Sequence, residues 1–104
     1  MVAPRWEPDF ETLPLHLIRR RFRTSDLTAA VLVFAATDDR STNHKISVLA
    51  RKRGIWANIA DAPDECDFIV PARIRRGNVQ IAISTGGKSP RLAAEMRKKL
   101  EGAL

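Results

Sequence analysis

The chain has 104 residues, 44% of them hydrophobic and 29% charged, and carries a formal net charge of +6. That is one small domain of ordinary globular composition, which excludes intrinsic disorder, and no apolar run approaches the length of a membrane-spanning helix. The basic excess attracts polyanions and gives the sign of a partner rather than its identity.

Residues 1–14 are punctuated by Pro4, Pro8 and Pro14, which leaves room only for a short helix over about 9–13. The opening residues lack the apolar core of a secretion signal, and the single cysteine, Cys66, excludes an internal disulfide and a CxxC metal knuckle. A reducing, cytoplasmic setting is the expectation. Residues 15–22 alternate weakly and predict an edge strand carrying Arg19, Arg20 and Arg21, and Thr24 to Leu27 predicts one helical turn.

The run Val31-Leu-Val-Phe-Ala-Ala predicts a strand buried on both faces of a parallel sheet, ended by Thr37-Asp38-Asp39. A helix follows over 41–53. Asp39 or Ser41 is its cap, Ile46, Leu49 and Ala50 its apolar side, and Gly54 its stop. A second short buried strand over 55–59 completes a βαβ unit with a right-handed crossover.

That second strand runs into an acidic turn, Asp61-Ala-Pro-Asp-Glu-Cys-Asp67. A carboxylate just beyond the carboxyl end of a strand stands where α/β folds keep their chemistry, so Asp61 is the first candidate for a working residue. The alternative reading is a solvated acidic loop.

Beyond it, 72–76, Gly77-Asn78 and 79–84 predict a β-hairpin with Val79, Ile81 and Ile83 on one face. Thr85-Gly-Gly-Lys-Ser-Pro then feeds a helix over about 90–100, capped by Ser89, striped by Leu92, Met96 and Leu100, and stopped by Gly102. The loop is not a Walker motif, because the glycine required five residues before Gly87 is Ala82. Two glycines, a lysine and a helix N-terminus suit a carboxylate or phosphate, with a flexible turn as the plain alternative. No G-x-G-x-x-G occurs. His16 and His44 read as surface side chains, and Cys66 has no histidine neighbour in sequence to form a nucleophile pair. The basic clusters lack interleaved aromatics, which argues against nucleic acid.

The ordered set Ala35-Ala-Thr-Asp-Asp, Asn43, Gly54-Ile, Asn58-Ile-Ala-Asp61, Asp67-Phe-Ile-Val-Pro71 and Ala82-Ile-Ser-Thr-Gly-Gly-Lys-Ser-Pro90 resembles the siroheme synthase family. More narrowly, it is similar to the precorrin-2 dehydrogenase/sirohydrochlorin ferrochelatase module. The resemblance implies an α/β fold: a partial Rossmann-like parallel sheet over 1–67, then a hairpin and helix for dimerisation over 68–104. It implies NAD-dependent oxidation of precorrin-2 to sirohydrochlorin, with ferrous iron as co-substrate of a second step in many members. Partners would be the tetrapyrrole and a second copy of the chain, with neither nucleic acid nor membrane. Family members carry a glycine-rich βα unit before these residues and a helical domain after them; neither is found in the 104 residues, so the expectation is the middle of the module, with poor NAD binding on its own.

Carried over by position, Asp61 is the catalytic residue, and Thr37, Asp38 and Asn58 lie beside the nicotinamide. Ser84, Thr85, Gly86, Gly87, Lys88 and Ser89 lie near the tetrapyrrole. Arg73, Arg75 and Arg76, with Lys88 and Arg91, are cations for the macrocycle's rim of carboxylates. No metal ligand set is implied. Two rival functions remain at this point: a chain that dimerises or binds anionic tetrapyrroles without turnover, and a small basic nucleic-acid binder.

Overall fold

The computed structural model describes all residues, 1–104. Six strands form three two-stranded sheets: β1 (Val2–Ala3) with β2 (Ile18–Arg19) and β3 (Leu32–Ala35) with β4 (Trp56–Ile59), both parallel, and β5 (Ala72–Arg76) with β6 (Val79–Ile83), antiparallel. Of the two helices, α1 (Arg40–Lys52) packs on β3–β4 and α2 (Pro90–Ala103) on β5–β6. The radius of gyration is 15.9 Å, against about 13 Å for a compact domain of this length. Small sheets strung along an extended axis bury little, and only ten residues are buried.

The main core lies between α1 and one face of β3–β4. In the register Leu32↔Trp56 to Ala35↔Ile59, Val33, Ala35, Ala57 and Ile59 share the face toward α1, because successive strand residues alternate sides. Ile46 and Ala50 meet them from the helix, with Leu27 and Ile55 closing the ends. Asp39 caps α1 by accepting from the Ser41 N–H at 3.2 Å, and the hydroxyls of Thr42 and Ser41 hold its carboxyl below the usual carboxylate range. At the other end Gly54, at φ +68°, lets Ile55 N–H reach back to the Ala50 carbonyl at 2.9 Å while Gly54 N–H bonds Arg51. This is a Schellman ending, and it turns the chain straight into β4.

The opposite face of the same sheet is open. Phe34 is 60% exposed and Trp56 65%, with Leu32 beside them and Phe68 meeting Phe34 edge-on at 5.4 Å. The expectation of strands buried on both faces is therefore wrong for β3 and for Trp56 of β4: a two-stranded sheet with one helix has only one covered side. The outer edge of β4 is closed locally. Ala57 N–H donates to Asp67 Oδ2 at 2.9 Å and Ile59 N–H to Cys66 Sγ at 3.2 Å, while the Asn58 amide donates to the Phe68 carbonyl at 3.0 Å. The acidic turn thus satisfies backbone groups that an unpaired edge would leave exposed.

Three further expectations change. The strand over 15–22 shrinks to Ile18–Arg19. Arg20 instead leaves the sheet to grip Asp26 at 2.5 and 2.9 Å, and that bond holds the Asp26 carboxyl down at about 2. Val79, Ile81 and Ile83 do share a face, but Val79 at its end is exposed, and Ile74 supplies the hairpin's buried side chain. Gly102 does not stop α2, which continues to Ala103. The helix buries Ala93 against the hairpin, and the stripe of Leu92, Met96 and Leu100 faces outward.

Ile59 is 1% exposed, the largest apolar side chain so deeply enclosed. Ile59→Ala is expected to cost about 2–5 kcal/mol, read as a lower midpoint in urea with an unchanged slope.

Candidate active site

α1 begins where β3 ends, so the first turn of the helix and the exit from β4 face each other across the sheet's carboxyl edge. Asn43, one turn into α1, is wholly buried. Its Oδ1 accepts from Thr37 N–H at 3.2 Å and from Thr37 Oγ1–H at 2.6 Å. Its amide donates to the Thr37 carbonyl at 3.1 Å and to Asp61 Oδ1 at 3.2 Å. All four hydrogen-bonding positions of the side chain are used. One residue therefore ties the segment leaving β3 to the carboxylate that follows β4.

Arg40 reaches the same carboxylate from the start of α1, donating to Asp61 Oδ1 at 2.8 Å while its other nitrogen bonds Glu65. The hydrogen bond to Glu65, with the charge of Asp61 behind it, raises the guanidinium further above its ordinary value. Glu65 also meets His44 Nδ1 at 2.5 Å, and His44 and then Arg40 hold its carboxyl below the usual range. The Asp61 side chain remains 42% exposed. Its Oδ1 takes both bonds and Oδ2 takes none within the chain.

The other candidate residues sort unevenly around this point. Thr37 is next to Asp61 through Asn43, but its N–H, carbonyl and hydroxyl are all engaged. Asp38 is exposed beside it. Asn58 spends its amide on the Phe68 carbonyl and lies on the open face of the sheet. Thr37 and Asp38 thus stand at the sheet's carboxyl edge, and Asn58 on its one open face. These residues form no glycine cradle for a pyrophosphate.

The loop from Ser84 to Ser89 packs beside the acidic turn. A Cβ on Gly87 would lie 2.8 Å from Ile69 Cδ1 and 3.2 Å from Pro63 Cβ, and its φ is +78°. The loop is braced from within. Thr85 Oγ1 accepts from Ser89 N–H at 2.9 Å, Ser84 Oγ from Gly86 N–H at 3.1 Å, and the Thr85 carbonyl from Lys88 N–H at 3.3 Å. Ser89 Oγ accepts from Leu92 N–H at 3.1 Å, capping α2. The N–H groups of Gly86, Lys88 and Ser89 are thus occupied, and the Lys88 side chain is exposed beside them. Beside the loop is an apolar crevice of about 280 Å³, lined by Ile69, Pro71, Ile83 and Pro90 among others.

The hairpin separates the three arginines. Arg73 and Arg75 project on its outer face, opposite Ala82 and Gln80. Arg76 projects with Ile74 toward α2 and donates to the Glu101 carbonyl at 3.2 Å. Arg40, not these three, is the cation at Asp61. Sequence reasoning passed over Arg40 and the role of Asn43. Their signal was spacing: three residues apart at the start of a helix that follows a strand, they share the side facing the sheet's edge.

A model of an NAD(P)-binding family matches residues 1–72, and one described as sirohaem biosynthesis protein central matches residues 76–103. The chain belongs to the siroheme synthase family. A siroheme synthase from Methylococcus capsulatus is 48% identical over 88 residues, which is 82% of this chain and 19% of that protein. One from Thioalkalivibrio sulfidiphilus is 40% identical across 97% of this chain and 22% of its own length. Among solved structures, SirC, a precorrin-2 dehydrogenase, superposes with a TM-score of 0.81 at 25% identity, covering 99% of this chain and 52% of that one. The chain therefore spans about a fifth of the length of the curated siroheme synthases it matches. The α/β, Rossmann-like character expected from the sequence is the fold observed.

Gly87→Ala is expected to strain the loop by roughly 1–2 kcal/mol for the left-handed backbone and to push it off Pro63 and Ile69. Amide exchange should then speed up in the loop and the acidic turn, while exchange in α1 and β3 stays as it was.

Proposed function

We propose that this chain contributes the carboxylate and the substrate-facing surface for NAD-dependent dehydrogenation of precorrin-2 to sirohydrochlorin. The observation that carries the reading is Asp61: a half-exposed carboxylate at the carboxyl edge of a parallel βαβ unit, anchored through one oxygen and without a partner in the chain on the other. Thr37 and Asp38, beyond the end of β3, would hold the nicotinamide, which when bound would supply the hydride acceptor. A C–H bond of the macrocycle breaks with its electron pair leaving as hydride, and a second hydrogen leaves as a proton to Asp61. Two hydrogens depart and one double bond forms.

The rim of acetates and propionates meets cations. Lys88 stands on the loop beside the acidic turn, and Arg73 and Arg75 stand on the hairpin's outer face. With Asp61 as proton acceptor for pyrrole N–H groups, ferrous iron is the substrate of a second, chelating step. The setting is the cytoplasm, and the catalytic unit is a homodimer. Two copies join through the hairpin and α2, whose outward stripe of Leu92, Met96 and Leu100 has no cover within the chain.

Asp61→Asn keeps shape and removes the basic oxygen. NADH formation from precorrin-2 and NAD⁺ is expected to fall by about a hundredfold or more, while the Soret-band shift on tetrapyrrole binding persists. Undiminished NADH formation would overturn the reading. Met96→Glu is expected to shift the chain from dimer to monomer in sedimentation, with its far-ultraviolet dichroism unchanged.

A further inference from the structure

We infer that Asn43 is a positioning residue that fixes Asp61 through Oδ1, with Arg40 as the second anchor, so that Oδ2 is the atom that accepts the proton. The inference rests on the reading of Asp61 as the proton acceptor, and it specifies which oxygen reacts and what aims it.

The geometry separates the two oxygens of one carboxylate. Asn43 Nδ2 at 3.2 Å and Arg40 at 2.8 Å both donate to Oδ1, and nothing in the chain donates to Oδ2. Two donors on one oxygen occupy its lone pairs and fix the rotation of the group, leaving the second oxygen as the one with lone pairs free to take a proton. Asn43 is suited to hold that direction because it cannot itself turn. Its other three bonds go to Thr37, and its side chain is wholly enclosed. A rotation that released Asp61 would also leave the Thr37 N–H and carbonyl unpaired in the interior, at about 1–3 kcal/mol for each group. Arg40 is held in turn by Glu65, which His44 braces from behind. The proton acceptor is thus aimed by a buried amide on one side and an ion-pair chain on the other. A misplacement of about 1 Å in such a group costs on the order of a hundredfold in rate.

The test reads the contact and its consequence separately. In the 104-residue chain, Asp61→Ala is expected to move one of the two Asn43 side-chain N–H signals in a ¹H–¹⁵N spectrum and to speed its exchange with water. The other N–H, bonded to Thr37, and the Thr37 amide should stay in place. If both Asn43 signals keep their positions, the contact does not exist and the inference fails, whatever the activity. For catalysis, Asn43→Asp keeps the acceptor toward Thr37 and sets a second carboxylate against Oδ1. The exposed Arg40→Gln removes the other anchor without touching the core. Each is expected to lower kcat by about tenfold to a hundredfold while KM for the tetrapyrrole stays within about twofold; a purely structural role would instead change the amount of folded protein. Wild-type kcat in Arg40→Gln and in Asn43→Asp, with Asp61→Ala inactive, would sink this inference alone. Full turnover in Asp61→Ala would sink the functional reading and this inference with it.

Discussion

Asn43 joins two strand ends that have no other side-chain link at the sheet's carboxyl edge. Three of its bonds close on Thr37 and the fourth on Asp61. Buried polar groups are costly unless fully paired, so a side chain with every donor and acceptor used admits one arrangement of its neighbours. That arrangement sets where β3 stops, how α1 departs, and which way the carboxylate after β4 points. The apolar contacts behind it, Ile46 and Ala50 on Ala35, Ala57 and Ile59, hold the layers together without specifying those directions.

The acidic turn shows how closely spaced carboxylates acquire different tasks. Asp67 satisfies an N–H on the free edge of β4, Glu65 neutralises Arg40 and braces His44, and Asp64 lies exposed. Asp61 alone is both anchored at the sheet's carboxyl edge and left with an open oxygen. Composition treats the four alike; the difference lies in which backbone or cation each one faces. A similar division runs through the basic residues. Arg20 is locked to Asp26, and Arg76 to the end of α2, while Arg73 and Arg75 remain turned outward.

Much of the local structure was legible because its causes are local. Asp39 at the start of α1, Gly54 at its end, Gly77-Asn78 in the hairpin and Ser89-Pro90 before α2 act through their own backbone and that of near neighbours. Gly77 has φ +57°, the only positive value in its two-residue turn, as a II′ hairpin demands. Burial was less legible, because it depends on what lies across from a face. The run 31–36 has the composition of a strand covered on both sides, yet Phe34 and Leu32 face outward, since one helix covers one side. The stripe on α2 misled in the same way: small Ala93 is the side chain buried where the helix packs on the hairpin, and the larger side chains stay outside. The site divided likewise. Asp61 could be read from its place after a strand, whereas its partners are 21 and 18 residues away and meet it only through the crossover.

By itself the sequence determined the order of elements, the caps and turns that bound them, the parallel crossover and the family, because propensity, capping and an ordered set of motifs are carried by residues near one another in the chain. Only the tertiary structure decided which strand face is covered, that Arg40 and Asn43 rather than the hairpin arginines meet Asp61, and which oxygen of that carboxylate is left open. Those outcomes depend on distances between segments, which are set when helix and sheet pack and are written in no single stretch of the chain.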